Sequence, residues 1–391
     1  MPTLAETAWR LAFGDLPVED GLRLREGTAW RHFPAPEAGR FGHLLSVADL
    51  DTFLATDAAR LPRLSMADGG RPGSAGVPAE EYTREDGRAD LPRLFALFDA
   101  GATLVVSQFH EMHPPLARLC RGLEQVFLHA VQANIYLTPP GAQGFRTHYD
   151  THDVLVLQVT GEKTWRIWDA QPVPQPTRRT PWPGGIAPPG EPRTLTLRPG
   201  DALYVPRGVM HDAMAQGGAR EGGASLHVTV GLLEPSFAAV LRLALDLLEE
   251  RDPALRAAFP TWRLAEGPGA LAPLAVPLAA KLAEPATLER AAVALLDRLA
   301  AERPALLGRG LFPPAPEPDA RLRLAGDVLH ALVPDAAGGA SLRWAGGAMA
   351  LSTEEAAWMA ALDEGAVPAS LGEGAPEFCA RLLRLGLLER G

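Results

Sequence analysis

The sequence is poor in cysteine and in long apolar runs. Its only two cysteines, Cys120 and Cys379, lie far apart in the chain, so they form no disulfide framework and are expected to be reduced thiols of a cytoplasmic protein. The longest apolar stretch, residues 271–280, is interrupted by prolines and is too short to cross a bilayer. The opening residues lack the basic and apolar regions of a secretion signal. We therefore expect neither secretion nor a membrane span.

The chain also lacks an excess of positive charge, and it has almost no lysine. Its 391 residues include 37 basic and 47 acidic side chains, a formal net charge of −10, which disfavours broad attraction to nucleic acids or anionic membranes. Lys163 and Lys281 are the only lysines, and the other 35 basic residues are arginine. A lysine that occurs against this bias, such as Lys163 in the β-rich centre of the chain, is therefore a candidate functional residue.

The residue pattern predicts a β-rich centre behind a mixed N-terminal region. That region contains three predicted helices (Leu50–Ala59 after the cap Asp49, Leu91–Ala100 and Pro115–Leu128) and one strand (Thr103–Val106). Glycine and proline turns then separate short runs of β-forming residues, at Ala133–Leu137, Asp153–Val159, Thr164–Trp168, Thr194–Leu197, Ala202–Val205 and Ser225–Leu232. Such spacing predicts a barrel or a sandwich, with the proline-rich segment Ala170–Pro192 as a loop or flap over its mouth.

After Glu234 the pattern becomes helical, with predicted helices at Phe237–Arg251 and Ala286–Ala301. Their leucine-rich faces predict a homodimer. Pro304–Pro318 is the predicted linker to a last region that contains three helices (Ala320–Leu332, Thr353–Asp363 and Pro376–Leu385) and a β pair (Ser341–Leu351). This order resembles a winged-helix module. The expected domains are therefore residues 1–233, 234–310 and 315–391.

Two motifs within the β-rich centre carry metal-binding side chains. In the run Gly144-Phe-Arg-Thr-His-Tyr-Asp150, an extended backbone places His148 and Asp150 on one face, pointing into the barrel, while Tyr149 points out. In the run Arg198–His211, a Gly-Asp turn, a short strand and a Pro-Arg-Gly corner bring His211 to the start of the next strand. Two histidines and one carboxylate leave coordination positions open, as a non-heme Fe(II) oxygenase requires. The alternative is that both histidines are ordinary hydrogen-bonded barrel residues.

Residues Gly200–His211 are similar to the second signature of cupin barrels, and the run from Asn134 to Trp165 looks like the JmjC-type cupins of the ribosomal oxygenase family. This resemblance implies a mixed α and β fold: a double-stranded β-helix, or jelly roll, followed by a helical dimerisation region and a winged-helix-like domain. It also implies an Fe(II)- and 2-oxoglutarate-dependent hydroxylase that acts on protein side chains and releases succinate and CO₂.

The resemblance assigns roles to individual residues. It makes His148, Asp150 and His211 the iron ligands, and it places Lys163 at the distal carboxylate of 2-oxoglutarate. Asn134 and Tyr136 match positions that line the same pocket. In the family, the hydroxylated residue is an arginine or a histidine of a ribosomal protein. The arginine hydroxylases often have arginine at the position of Lys163, whereas the histidine hydroxylases have lysine, so Lys163 favours histidine as the target.

For five positions the neighbouring residues in the sequence give further expectations. Lys163 enters a strand on the same face as Trp165, so its ammonium would project into an apolar barrel unless an anion met it; the alternative is a surface lysine paired with Glu162. His227 and Thr229 alternate with apolar residues in a late strand and could line the cosubstrate pocket, although a satisfied core histidine explains His227 equally well. His152 and Asp153 are expected either in the outer shell of the metal site or at the rim.

Two other functional classes remain as alternatives. The first is a non-catalytic interaction scaffold, and the second is a DNA-binding regulator that uses the C-terminal module. Residues 315–391 contain six arginines and no lysine against eleven acidic residues. The resulting net negative charge disfavours binding to the phosphate backbone, so DNA binding is not expected. Within the oxygenase class, a small molecule or a natural-product peptide could replace the protein substrate.

Overall fold

The computed structural model describes residues 2–37, 39–73, 75–180, 188, 190–217, 223–303, 319–334, 338–344 and 347–391. The chain divides into two compact units, Met1–Leu233 and Glu234–Gly391. The predicted linker 304–318 lies outside the described residues, so the further division of the second unit stays a prediction. No helix in the described ranges is both long and apolar enough to cross a membrane.

The described residues of the first unit form two antiparallel sheets. The strands are β1 Arg31–Phe33, β2 Leu64–Ala67, β3 Thr103–Val106, β4 Ala130–Thr138, β5 Asp153–Thr160, β6 Lys163–Ile167, β7 Arg193–Leu197, β8 Ala202–Val205, β9 His211–Ala215 and β10 Ser225–Leu233. The larger sheet has seven strands in the order β1-β8-β5-β10-β4-β3-β2, and the smaller has three in the order β7-β6-β9. This arrangement is consistent with the expected jelly roll of cupin type.

Side-chain alternation explains how the two sheets form a barrel. Val154 and Val156 of β5 pack against Trp165 and Ile167 of β6 in the core between the sheets. The alternate residues of β5, among them Leu155, face the opposite side of the large sheet and join a second core there. Burial on both faces accounts for the continuous apolar run of this strand.

Five α-helices lie among the described residues of the first unit, and several pack on the outer face of the large sheet. They are α1 Leu4–Phe13, α2 Val18–Leu24, α3 Val47–Leu54, α4 Leu91–Asp99 and α5 Pro114–Phe127. The last two confirm the predicted helices there. The helix expected at Leu50–Ala59 begins earlier, because Ser46 rather than Asp49 is its N-cap; Asp49 completes the capping box by accepting from the Ser46 backbone.

The second unit begins with three helices, α6 Phe237–Arg251, α7 Ala272–Leu282 and α8 Pro285–Glu302. The first and third confirm the two helices predicted for this region. Leu243 and Ala244 of α6 pack against Ala291 of α8 in a small core. Part of the leucine-rich pattern is therefore explained by packing within the unit.

The remainder of the second unit differs from its prediction at one element. It contains β11 Leu322–Leu324, β12 His330–Pro334, β13 Ala340–Trp344, β14 Gly347–Leu351, α9 Thr353–Glu364, α10 Ala375–Arg384 and β15 Leu388–Arg390. The expected helix Ala320–Leu332 is wrong: this stretch forms β11 and the start of β12, which pair with β15 and β13. Distant strands override the local helical preference. The winged-helix interpretation stays a prediction.

Candidate functional site

The first predicted ligand pair lies on the segment that joins β4 to β5. This segment contacts β9 at two points: Gly141 and Ala142 form backbone hydrogen bonds to Ala215, and His148 forms two with His211, of 3.0 and 2.7 Å. Between these points residues 143–147 bulge away from β9. Main-chain bonds therefore hold His148 directly beside His211.

The other side of the segment is tied to the corner that precedes His211. Gly208 adopts φ +82°, and its N–H donates to the carbonyl of Asp150 at 3.0 Å. A Cβ at Gly208 would lie only 2.8 Å from the Val173 carbonyl, which explains why this corner needs glycine.

Asp153 also supports this corner. Its carboxylate accepts the Tyr204 hydroxyl at 2.6 Å and the backbone N–H of Arg207 at 2.9 Å. Asp153 is buried, which excludes a position at the rim and agrees with the other expected position, in the outer shell of the metal site. A buried carboxylate with these partners fixes the turn from which His211 emerges.

The structure brings His148, Asp150 and His211 together. Each offers one ligand atom, and the three atoms lie within 4.8 Å of one another. His211 Nε2 is 3.7 Å from an Asp150 carboxylate oxygen. Within the part of the chain that the structure describes, no fourth His, Cys, Asp or Glu joins this group. Tyr149 turns away from the three donors, as predicted, and is buried against Trp168 and Met210.

The hydrogen bonds of both histidines favour metal binding. His148 Nδ1 donates to the Arg146 carbonyl at 2.7 Å, and His211 Nδ1 donates to the Val209 carbonyl at 2.9 Å. Because Nδ1 carries the proton, Nε2 of each ring carries the lone pair, as in metal-bound histidines of known sites. Burial, followed by the nearby His148, lowers the pKa of His211, which favours the neutral ring that a metal requires. These donors therefore fit a divalent metal with open positions.

The donors face a cavity of about 270 Å³ between the two sheets. The large sheet contributes Thr103, Tyr136, Val154, Val156, His227 and Thr229, and the small sheet contributes Lys163, Trp165, His211 and Ala213. Apolar walls with a few polar groups are typical of small-ligand sites. Sequence reasoning did not single out Thr103, Phe145 or the two valines, although the period of two in β5 could have indicated the valines.

Lys163 is buried in this cavity, with 4% of its surface exposed. Its ammonium donates to the Thr138 hydroxyl at 2.9 Å, and no carboxylate of the described residues pairs with it. Burial lowers the pKa of Lys163 to about 7. Glu162 instead contacts Arg198 at 3.6 Å. The surface-lysine alternative is therefore wrong, and the cavity contains a basic group without an anionic partner.

Tyr136, His227 and Thr229 line the same cavity. The Tyr136 and His227 rings stack with centroids 4.9 Å apart. His227 Nδ1 is buried and has no hydrogen-bond partner among the described residues, so His227 is not a satisfied core histidine. Burial and then the nearby Lys163 lower the pKa of His227. We conclude that His227 is a neutral polar group at the cavity wall.

Asn134 does not line the cavity, contrary to expectation. Its side-chain oxygen accepts the backbone N–H of Gln108 at 2.9 Å, and its side chain also hydrogen-bonds to Tyr136. Asn134 thus lies beside the cavity and supports a residue of its wall.

The bulge of residues 143–147 leaves part of β9 unpaired. His211 and Ala215 direct their backbone polar groups toward the 141–148 segment, and strand alternation gives Ala213 the same orientation. No hydrogen bond engages the Ala213 N–H or C=O within the described residues, and Ala213 lines the cavity together with Gly144 and Phe145 of the bulge. Among the described residues, the N–H and C=O of Ala213 are therefore left unpaired at the edge of β9, beside the cavity.

Comparison with known proteins confirms the resemblance to JmjC-type oxygenases. Residues 105–240 match the family model described as JmjC domain. Ribosomal oxygenase 1 of Homo sapiens is 30% identical over 228 residues, 56% of this chain and 34% of that protein. The bifunctional lysine-specific demethylase and histidyl-hydroxylase NO66 of Dictyostelium discoideum is 39% identical over 150 residues, 37% of this chain and 28% of that protein. The chain thus spans about a third of the length of these curated relatives.

Solved structures support the same fold. The ribosomal oxygenase YcfD of Escherichia coli, solved in complex with cobalt and 2-oxoglutarate, is 17% identical, with a TM-score of 0.58 over 96% of this chain and 98% of that one. At 17% sequence identity, this similarity concerns the fold alone.

Proposed function

We propose that this chain, which carries a JmjC domain related to that of the ribosomal oxygenases, is an Fe(II)- and 2-oxoglutarate-dependent hydroxylase of a polypeptide side chain. One observation supports this most strongly. A single cavity contains three metal donors, His148, Asp150 and His211, together with the buried ammonium of Lys163, which has no anionic partner among the described residues.

Lys163 and its neighbours suit a dicarboxylate. A buried ammonium is costly without a counter-ion, and a carboxylate would supply one while accepting its hydrogen bonds. The Thr138 hydroxyl contacts the ammonium, and Thr103 donates to Thr138 at 3.1 Å. We propose that Lys163 binds the distal carboxylate of 2-oxoglutarate and that Tyr136, His227 and Thr229 form the adjacent wall.

The metal site suits the other end of the cosubstrate. His148, Asp150 and His211 would hold Fe(II), which would supply the chemistry that activates O₂: one oxygen atom would enter succinate as 2-oxoglutarate loses CO₂, and the other would enter the C–H bond of the substrate. The chain itself would position the cosubstrate and exclude water, because Val154, Val156 and Trp165 provide apolar walls around the charged groups.

A polypeptide is the substrate class that the wall of the cavity favours. The N–H and C=O of Ala213, which have no hydrogen-bond partner among the described residues, offer one donor and one acceptor to an extended main chain. Relatives carry the names ribosomal oxygenase and histidyl-hydroxylase, so a ribosomal protein is the first candidate, with histidine or arginine as the target residue. A natural-product peptide or a small molecule would use the same metal chemistry.

Two further proposals concern assembly and location. Phe237, Leu241 and Leu245 recur every fourth residue along α6 and are exposed, which supports a homodimer formed through the helical region. We also propose a cytoplasmic location, because the two free cysteines suit a reducing compartment.

The experiment is a comparison of the cell's proteins with and without the active enzyme. Lysate from cells lacking the enzyme is incubated with wild-type protein, Fe(II), ascorbate and 2-oxoglutarate, and peptides are searched by mass spectrometry for the gain of one oxygen atom. A hydroxylated side chain that is absent with His148→Ala supports the proposal. Failure to form succinate with any lysate would instead favour the non-catalytic scaffold.

A further inference from the structure

A buried carboxylate lies directly behind the two histidine donors. Asp212 follows His211 in β9, and its side chain is only 4% exposed. Thr147, which precedes His148, donates its hydroxyl to Asp212 at 2.6 Å. Arg166 of β6 donates two hydrogen bonds to the same carboxylate, at 2.8 and 2.6 Å. One side chain therefore joins three segments of the barrel.

The location of this cluster follows from strand alternation. His211 and Ala213 point into the cavity, so Asp212 points to the outer side of β9, where Arg166 is its cross-strand neighbour. Thr147 likewise lies on the outer side while His148 faces inward. The Thr147–Asp212 bond thus connects the residues next to the two ligands without touching the metal site itself.

The backbone bonds between His148 and His211 are the last main-chain contact of the His148 segment with β9 before the bulge of residues 143–147, and the next main-chain contacts are those of Gly141 and Ala142 with Ala215. Within the bulge the segment is held by residues 69–73 and not by the backbone of β9: the Gly69 N–H donates to the Gln143 carbonyl at 2.8 Å, and the Arg146 guanidinium donates to the carbonyls of Gly69 and Gly73. A segment that departs from its neighbouring strand on one side of a ligand needs another restraint if two imidazoles are to stay at the spacing a metal requires.

We propose that Asp212, acting through Thr147, is a positioning residue that sets the spacing of the His148 and His211 donors, with Arg166 fixing the carboxylate in place. The inference rests on the proposed metal site. Hydrogen bonds to a carboxylate that is also charge-paired are short and directional. The cluster therefore restrains the orientation of the Thr147–His148 backbone relative to β9 as well as the distance between them. Removing it leaves every ligand present and every cavity side chain unchanged.

The test measures metal affinity directly, with Co(II) as a spectroscopic probe for the Fe(II) site. Thr147→Val keeps the shape of the side chain and removes its donor, Thr147→Ser keeps the donor, and Asp212→Asn removes the charge. Since supporting hydrogen bonds near metal ligands typically contribute 10–100-fold to affinity, we expect Thr147→Val and Asp212→Asn to weaken Co(II) binding about tenfold or more, and Thr147→Ser to stay within about threefold of wild type.

Matched controls separate positioning from a general structural role. Thr164 of β6 and Thr196 of β7 share a hydroxyl hydrogen bond of 2.8 Å, and Asp169, just after β6, pairs with Arg193 of β7 at 2.9 Å. Thr164→Val and Asp169→Asn should leave the Co(II) affinity and visible spectrum unchanged. Urea unfolding of each apo-protein reports stability separately from the metal site.

The outcomes are distinct. Weaker binding and an altered Co(II) spectrum in folded Thr147→Val, restored in Thr147→Ser, support the proposal. Wild-type affinity in Thr147→Val, even with lower stability, overturns it and leaves the proposed function intact. Absence of Co(II) binding in wild type overturns both. If Asp212→Asn fails to fold, the comparison of Thr147→Val with Thr147→Ser still tests the proposal.

Discussion

His148 and His211 are joined by two reciprocal backbone hydrogen bonds, of 3.0 and 2.7 Å, while their rings lie with centroids 4.5 Å apart. Two donors on segments remote in sequence are thus brought together by the main chain, and the spacing does not depend on a bound metal. The ligand side chains can therefore be changed without removing the contacts that place them.

The first prediction follows from this arrangement. His148→Ala or Asp150→Ala removes one of three donors but none of the backbone bonds, so we expect loss of 2-oxoglutarate turnover to background in a folded protein. Circular dichroism and succinate formation measured on the same sample check this. Full turnover by folded His148→Ala would show that His148 is not a ligand.

The second prediction concerns the buried ammonium of Lys163. Truncating one partner of a buried charge pair typically costs about 2–5 kcal/mol, so Lys163→Ala should raise the apparent constant for 2-oxoglutarate about 30-fold or more. Lys163→Arg should retain part of the affinity, because the charge remains although the guanidinium needs more room. A 2-oxoglutarate titration at saturating Fe(II) measures both. An unchanged constant in Lys163→Ala would remove this residue from the cosubstrate site.

The third prediction is a pH dependence with a defined sign. Burial lowers the pKa of Lys163 to about 7, so the free protein loses the ammonium as the pH rises above that value. A bound carboxylate favours the charged form, and binding must then take up a proton. We expect the dissociation constant for 2-oxoglutarate to rise about tenfold per pH unit above pH 7.

Lys163→Arg is the control for this dependence, because a guanidinium stays charged throughout the range. Calorimetric titrations in two buffers of different ionisation enthalpy report the proton uptake of each protein. Equal pH profiles for wild type and Lys163→Arg would contradict the role of the lysine.

The fourth prediction concerns the exposed face of α6. Phe237 is 91% exposed, and Leu241 and Leu245 continue its line along the helix. We expect a particle of about twice the 41.6 kDa chain mass by light scattering at micromolar concentration. Leu241→Asp with Leu245→Asp should give the monomer, whereas Phe95→Asp, at an exposed apolar residue of α4, should not. A wild-type monomer would contradict the proposed dimer.

Much of the metal site could be predicted because its signals are local. The His-x-Asp spacing and the Pro-Arg-Gly corner before His211 lie within short runs. Strand alternation favoured an interior position for Lys163 but left the surface alternative open, and only the structure, in which Lys163 is buried, decides between them. The Asp212 cluster could not be found in this way, since it depends on the register that pairs Arg166 with Asp212 and on the bulge that turns Thr147 outward. The position of Asn134 could not be predicted fully either. Strand alternation gives the face of the sheet on which Asn134 lies, but its hydrogen bond to the backbone of Gln108, a contact between distant residues, holds its side chain beside the cavity.

The second unit shows where local patterns fail. The stretch 320–332 contains alanines and leucines that favour a helix, yet Leu322 and Leu324 pair with Arg390 and Leu388, more than sixty residues away. Such pairing is stabilised by tertiary contacts that no local window contains.

The most direct test of the proposed chemistry is an anaerobic titration of the Fe(II)-loaded protein with 2-oxoglutarate, followed by visible absorption. We predict a weak charge-transfer band that saturates near one equivalent, is absent in His148→Ala, and requires far more 2-oxoglutarate in Lys163→Ala. A folded, Fe(II)-loaded wild-type protein that shows no band at saturating 2-oxoglutarate would contradict the assignment of this cavity as an oxygenase site.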